Sequence, residues 1–201
     1  MKKIVAVALL TTLISAPAFA ADGLYAVVDI GQSKVADACQ GTSGVGVSCT
    51  ETGTGFRFGL GYQINPNFAV EAGYLNVSEA FKLTDSSIPG YTINGKGKGT
   101  ALQFSGIGIY PVNDTFAVFA KAGLANVKVD VSADVTPAVP GASFSDSGTS
   151  NNLAWGLGAQ FNFSQNLALR AQYEDLGKVG TASSTDKNKF TLLSAGLVMK
   201  F

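Results

Sequence analysis

The chain contains no histidine. This removes both the commonest general base near neutral pH and the commonest metal ligand, so histidine-dependent hydrolysis and histidine-ligated metal centres are excluded together. Charge is sparse and balanced, 14 Lys+Arg against 14 Asp+Glu, and turns slightly negative once Lys2 and Lys3 are set aside. No polybasic patch exists, which argues against nucleic acid as a partner. No apolar run beyond residue 20 approaches the ~18 residues of a spanning helix. If the chain crosses a membrane, it must do so as a closed barrel, because only helices and closed barrels satisfy their backbone in lipid. In place of these features stand 24 glycines, 13 phenylalanines and 6 tyrosines.

The first 20 residues have the layout of a cleaved secretory signal peptide. Lys2 and Lys3 precede an apolar run from Ile4 to Ile14, and Ala18-Phe19-Ala20 forms a small-x-small cleavage site. The alternative, an uncleaved anchor, is disfavoured by the short apolar centre. Residues 21–201 then form one domain. Cys39 and Cys49 are the only cysteines and lie in a glycine-rich stretch. In an exported protein such a pair is expected to form a disulfide that stiffens one loop, two free thiols being the other reading. A metal site is disfavoured, since two thiolates do not complete a shell.

Period-two alternation recurs along the mature chain. Phe56, Phe58, Leu60, Tyr62 and Ile64 alternate with Arg57, Gly59, Gly61 and Gln63, and after Asn65-Pro66-Asn67 the pattern resumes with Phe68, Val70, Ala72 and Tyr74 against Ala69, Glu71 and Gly73. Comparable hairpins lie at 102–124, where Ile107 and Ile109 blur the pattern, and at 153–174. End strands near Leu24–Ile30 and Leu193–Phe201 bring the expected count to eight, an even number as in bacterial outer-membrane barrels. Short connections (65–67, 111–115, 164–166) alternate strictly with long polar ones (34–53, 77–98, 130–150, 177–188). Nine residues from Phe56 to Ile64 at ~3.3 Å each, tilted by ~40°, rise roughly 23 Å, close to the ~25 Å apolar band of such barrels. The expected fold is therefore all-β, an eight-stranded antiparallel transmembrane β-barrel with short periplasmic turns and long extracellular loops.

The rival all-β reading is a secreted lipocalin-like barrel with its apolar face around a ligand. Against it, aromatics cluster beside the short turns (Tyr62, Phe68, Tyr110, Phe116, Phe161, Phe163 and Phe201), as in an interfacial girdle. The opposite face would also make a poor solvent-facing surface. That face carries Asp29, Arg57, Glu71, Lys121, Arg170 and Glu174, three acids and three bases. Placed in the lumen they must be paired or solvated. We expect an ion-pair network supported by Gln63, Gln103, Gln160 and Gln172; a looser, water-filled interior is the alternative. Eight strands leave room only for side chains, so a wide pore is not expected, and a narrow solute channel is the competing function.

Motifs for chemistry are weak. Gly106-Ile107-Gly108 and Gly156-Leu157-Gly158 lack the third glycine and the helix of a dinucleotide fingerprint. Gly90–Gly97 has Gly97 where a phosphate-binding loop needs Ser or Thr. Glu174 and Asp175 are adjacent, hence on opposite strand faces, which argues against a paired-carboxylate site. No cofactor, metal or catalysis is expected.

With these residues in view, the chain resembles the small outer-membrane β-barrel family that includes the OmpA-type transmembrane domain and opacity-type surface antigens. The resemblance rests on Asn67-Phe68-Ala69-Val70-Glu71-Ala72-Gly73-Tyr74, Tyr110-Pro111-Val112-Asn113-Asp114-Thr115-Phe116, Leu169-Arg170-Ala171-Gln172-Tyr173-Glu174 and the terminal strand. The ending Ser194-Ala195-Gly196-Leu197-Val198-Met199-Lys200-Phe201 resembles the C-terminal assembly signal of such barrels, carried by Ser194, Gly196, Met199 and Phe201. The resemblance implies a Gram-negative outer-membrane location and a structural or surface-interaction role, adhesin- or antigen-like, as a monomer. It implies as partners outer-membrane lipids, lipopolysaccharide, the barrel-assembly machinery and a host or surface ligand at the loops. No segment matches the periplasmic peptidoglycan-binding domain of full OmpA-type proteins, so the resemblance does not extend to cell-wall anchoring.

Overall fold

A computed structural model describes residues 23–40, 44–137, 142–180 and 188–201; the proposed signal peptide lies outside them. Among the described residues, nine strands run in chain order: β1 (Leu24–Val35), β2 (Val47–Thr50), β3 (Thr52–Asn65), β4 (Phe68–Asp85), β5 (Thr92–Pro111), β6 (Phe116–Thr136), β7 (Phe144–Asn162), β8 (Leu167–Val179) and β9 (Asn188–Lys200). All pairings are antiparallel. β1 pairs with β3 on one side and β9 on the other, while β4 pairs with β5, so the sheet closes on itself. Eight strands make the barrel. The ninth, β2, is a four-residue addition that pairs only with the outer part of β4, from Val47↔Asp85 to Thr50↔Lys82.

The three short turns share one device. Asn65 Oδ1 accepts the amides of Asn67 and Phe68 at 2.9 Å each, and Asn113 Oδ1 accepts those of Thr115 and Phe116 at 2.9 and 2.8 Å. Ser164 Oγ accepts those of Asn166 and Leu167 at 3.3 and 3.1 Å. A short polar side chain that caps its own turn reverses the chain within a few residues.

At the opposite end the structure corrects the expected loop lengths. β4 continues to Asp85, β5 starts at Thr92, β6 runs to Thr136 and β7 starts at Phe144. Much of the segments 77–98 and 130–150 is therefore strand. The outward face of these extensions is polar and their inward face carries small residues such as Ala80, Gly95 and Gly97, so they lack the strong apolar alternation of the inner parts, and their Thr, Ser, Lys and Asp content read as loop.

On the outer wall, apolar side chains give way to polar ones at one position per barrel strand: Gln32, Thr54, Asn76, Thr100, Asn126, Asn151, Asp175 and Thr191. Four of the interstrand registers pair these residues directly, Gln32↔Thr54, Asn76↔Thr100, Asn126↔Asn151 and Asp175↔Thr191. Between this rim and the turns the wall is continuously apolar and exposed, with Phe104, Leu102, Leu124 and Leu153 each 62–75% accessible. An apolar belt of that kind is stable only against lipid. Beside the turns, Tyr62, Phe68, Tyr110, Phe161, Phe163 and Phe201 are exposed and Phe116 is half-buried.

Inside, the barrel is layered. Tyr25, Val27, Ala69, Ile107, Phe119, Ala168 and Val198 pack together toward the turn end. Toward the far end, Val35, Leu75, Val77, Ala101, Val127, Leu176, Phe190 and Leu192 belong to a second apolar cluster. Six charged residues lie between them, so the inward face is not uniformly polar, and Ile107 is an inward residue rather than a defect in the alternation. Aromatic bulk near the turns is accommodated by glycine: Tyr25 faces Gly61 across the β1–β3 ladder, and a Cβ on Gly61 would lie 2.0 Å from Tyr25 Cζ. Gly61→Val should therefore lower stability by about 1–3 kcal/mol through overpacking. Gly108→Val, on the lipid side with nothing nearer than 4.0 Å, should be close to neutral. Urea unfolding of the two variants in lipid vesicles checks the contrast.

Candidate functional site

The six charged residues on the inward face lie between the two apolar layers, each 3% exposed or less. They form one chain of alternating sign. Asp29 and Arg57 are directly opposed on β1 and β3, and Asp29 accepts hydrogen bonds from Arg57, with Nε at 2.8 Å. Arg57 also donates to Glu174. Glu174 meets Lys121 Nζ at 2.6 Å, Lys121 meets Glu71 at 3.2 Å, and Glu71 receives Arg170 Nη1 at 2.6 Å. The order is thus Asp29, Arg57, Glu174, Lys121, Glu71, Arg170.

Neutral groups finish the chain. Gln172 donates to Asp29 at 2.9 Å, Gln103 to Glu174 at 3.2 Å and Tyr25 to Glu71 at 3.3 Å. Arg170 donates to Gln160 at 3.2 Å, and its guanidinium lies over the rings of Phe119 and Tyr25, 4.9 and 5.6 Å from their centroids. Cation–π contact helps a guanidinium that has been removed from water. The geometry depends on a missing side chain as well: Gly156 sits between Lys121 and Glu174 in the ladder, and a Cβ there would come within 3.2 and 3.0 Å of their Cγ atoms.

Gln63, expected in this network, is not part of it. It lies next to the first turn and donates to the Asn65 carbonyl at 3.3 Å. Alternation sets which face a residue occupies but not its height in the lumen. Asp175 departs differently. It faces outward beside Glu174 yet is buried, because the β8–β9 register shifts between Asp175 and Lys178; its Oδ1 accepts the Gly177 amide at 2.9 Å and its Oδ2 meets Lys189 at 2.9 Å. The apolar layer of Leu75, Val77, Val127 and Leu192 was missed by the sequence reading. Its signal was available, since these residues continue the inward parity beyond the charged positions.

Cys39 and Cys49 are disulfide-bonded with Cα atoms 5.8 Å apart, which ties the segment after β1 to β2, where Cys49 lies. Of the terminal residues, Ser194 points inward at 3.4 Å from Gln172 and Gly196 pairs with Asp29. Met199 pairs with Ala26 and Leu167 on either side, and the Phe201 amide donates to the Leu24 carbonyl at 3.1 Å with its ring exposed. Among the described residues no cluster of His, Cys, Asp and Glu is arranged to hold a metal. A cavity of about 430 Å³ opens at the turn end and stops at Arg170.

A family model for the OmpA-like transmembrane domain matches residues 19–201. The chain belongs to that family. Outer membrane protein A of Shigella flexneri is 28% identical over 142 residues, 70% of this chain and 38% of that protein, so the chain spans under two fifths of this relative's length. Two solved barrels share the fold. Neisserial surface protein A superposes with TM-score 0.53 at 19% identity, covering 89% of this chain and 97% of that one. The attachment invasion locus protein Ail of Yersinia pestis gives 0.50 at 20% identity, covering 88% and 99%. As an OmpA-like barrel, the protein resides in the outer membrane of a Gram-negative bacterium, with its short turns periplasmic and its long connections extracellular.

Arg57, like Lys121, bridges two buried acids, so its loss should be costly. Arg57→Met should destabilise the barrel by about 3–5 kcal/mol, because Asp29 and Glu174 would remain buried without their partner. Adding Asp29→Asn and Glu174→Gln should recover much of that loss. Denaturant unfolding in vesicles, followed by tryptophan fluorescence from Trp155, measures both.

Proposed function

We propose that this OmpA-like barrel is a non-enzymatic structural and surface protein: a rigid plugged anchor that presents its extracellular connections to the surroundings. The observation that carries this reading is the layered lumen. Among the described residues, the charged chain is covered toward the extracellular end by the apolar cluster of Leu75, Val77, Val127 and Leu192 and is met from the turn end by a cavity that reaches Arg170, which supports a plugged lumen over a solute path. What the barrel does offer is the sheet extension of β4–β7 and the disulfide-tied segment at β2, beyond the membrane. Binding surfaces are commonly carried in this way on a rigid scaffold. The name of the Yersinia pestis neighbour describes attachment and invasion for that protein; an adhesive role here is part of the proposal.

Reconstituted in planar bilayers, the purified protein should show no large stable conductance; steady openings would favour the narrow-channel reading. A deletion strain compared with its parent should lose surface adhesion or envelope integrity without slower uptake of small solutes. Slowed uptake with unchanged adhesion would overturn the proposal.

We also propose that residues 1–20 are a cleaved signal peptide and that Ser194, Gly196, Met199 and Phe201 serve as the signal read by the assembly machinery. Deleting Phe201 should leave export intact but reduce the folded, heat-modifiable species on gels several-fold. Normal insertion of the truncated protein would count against it.

A further inference from the structure

The cavity of about 430 Å³ at the periplasmic end of the lumen is lined by two bases, Arg170 at its floor and Lys200 on its wall. Asp114, exposed in the β5–β6 turn, is the one acid on the lining, and Phe201, which follows Lys200, is not part of it. Lys200 continues the inward parity of Ser194 and Val198 along β9. From the turns to the extracellular apolar cluster, the inward strand positions therefore carry four bases, Arg57, Lys121, Arg170 and Lys200, against three acids, Asp29, Glu71 and Glu174. All three acids are already bonded to the other bases. Lys200, half-buried, has no ion-pair partner among the described residues.

Arg170 is incompletely engaged as well. Its Nη1 donates to Glu71 at 2.6 Å. The other edge of the guanidinium, Nε with Nη2, is a fork that a carboxylate can fill with two parallel bonds. On Arg57 that same edge is filled by the carboxylate of Asp29. On Arg170, Nη2 meets only the neutral Gln160 Oε1, at 3.2 Å, and Nε has no hydrogen-bond partner among the described residues, although the side chain is 3% exposed. Gln160 itself lines the cavity, so the underused edge is the one turned toward it. Hydrogen bonds between a guanidinium and a carboxylate are roughly twice as strong as neutral ones, so an entering carboxylate competes well with Gln160.

The rest of the lining is mixed. Ile109, Ala117 and Val198 supply apolar wall, while Gln63 and Asn162 supply amide donors and acceptors. We propose that this cavity binds the free carboxyl end of a short periplasmic peptide, with its carboxylate on the open edge of Arg170 and under the attraction of Lys200. Small side chains of the peptide rest on the apolar wall, and its amide groups exchange hydrogen bonds with Gln63 and Asn162. A simple inorganic anion would use the two bases and leave the wall and the amides idle. The volume lies low in the ~300–1,000 Å³ range of ligand pockets, which suits a few small residues. This site faces the periplasm and stands independently of the surface role proposed above.

Isothermal titration of the full chain in a non-ionic detergent tests the site with two probes, N-acetyl-Ala-Ala and its C-terminal amide. The wild type should bind the acid, and bind the amide at least about tenfold more weakly. Lys200→Gln should weaken binding of the acid several-fold, whereas Lys178→Gln, which removes the same charge at the extracellular end, should leave it unchanged. Ala117→Leu, which fills the cavity and keeps every charge, should abolish binding. The heat-modifiable gel shift confirms that each variant is folded, and the acid–amide contrast is read on the wild type alone. The proposal is overturned if the wild type does not bind the acid, or binds acid and amide equally. Equal losses in Lys200→Gln and Lys178→Gln, or full binding by folded Ala117→Leu, also overturn it. Displacement of the peptide by equimolar acetate or inorganic phosphate would make this a site for simple anions and overturn it too.

Discussion

The constraint on which this structure depends is that no backbone amide or carbonyl can be left unpaired in hydrocarbon, where each orphan costs several kcal/mol. A sheet meets it only by closing, and closure here is the pairing of the last strand with the first, from Tyr25↔Lys200 to Val35↔Phe190. Every other feature is subordinate to that ladder. The self-capped turns keep one end short, the alternation assigns each side chain to lipid or lumen, and small residues in the lumen make room for large ones across the ladder.

The parity of the barrel strands was legible in the sequence because the membrane enforces it. Lipid punishes a polar residue on the outside, so Phe56 to Ile64 and Leu153 to Phe163 carry an unambiguous period of two. Beyond the rim that enforcement stops. Val127, Val129 and Val131 still alternate with Lys128 and Asp130, but the outward face no longer has to be apolar, and the extensions of β4–β7 read as loop. The lumen shows a similar limit. Six charges could be assigned to one face, yet their partners come from distant strands, Arg57 and Glu174 being 117 residues apart. Which acid meets which base depends on stagger around the barrel, which no local pattern encodes. Gln63 shows the same gap between face and height.

A buried ion-pair chain is a poor choice if stability alone is the criterion, because well-packed apolar side chains of similar volume do as well or better. In a membrane barrel the comparison changes. A strand apolar on both faces would have no reason to prefer one face for lipid, and a one-residue slip in register exchanges the faces completely. With Arg57, Lys121 and Arg170 on the inward face, the same slip would drive a cation into hydrocarbon at about 2–4 kcal/mol each near the midplane. The charged layer thus distinguishes inside from outside on β1, β3, β4, β6 and β8, the strands that carry it. The apolar layers above and below it supply packing where the register is already determined.

This division of labour determines where the molecule is free to vary in function. Between the turns and the polar rim, each position answers to lipid, to the ladder or to the alternating chain of charges, and a change must satisfy its neighbours on several strands at once. At the rim the requirement relaxes from apolar to merely compatible with headgroups. A directly opposed lysine pair such as Lys82 and Lys96 works against the ladder, and neither closure nor packing calls for it. Acids on the neighbouring strand, Asp130 opposite Lys98 and Asp134 diagonal to Lys96, offset part of that cost, so beyond the hydrocarbon the wall is shaped by charge pattern rather than by lipid.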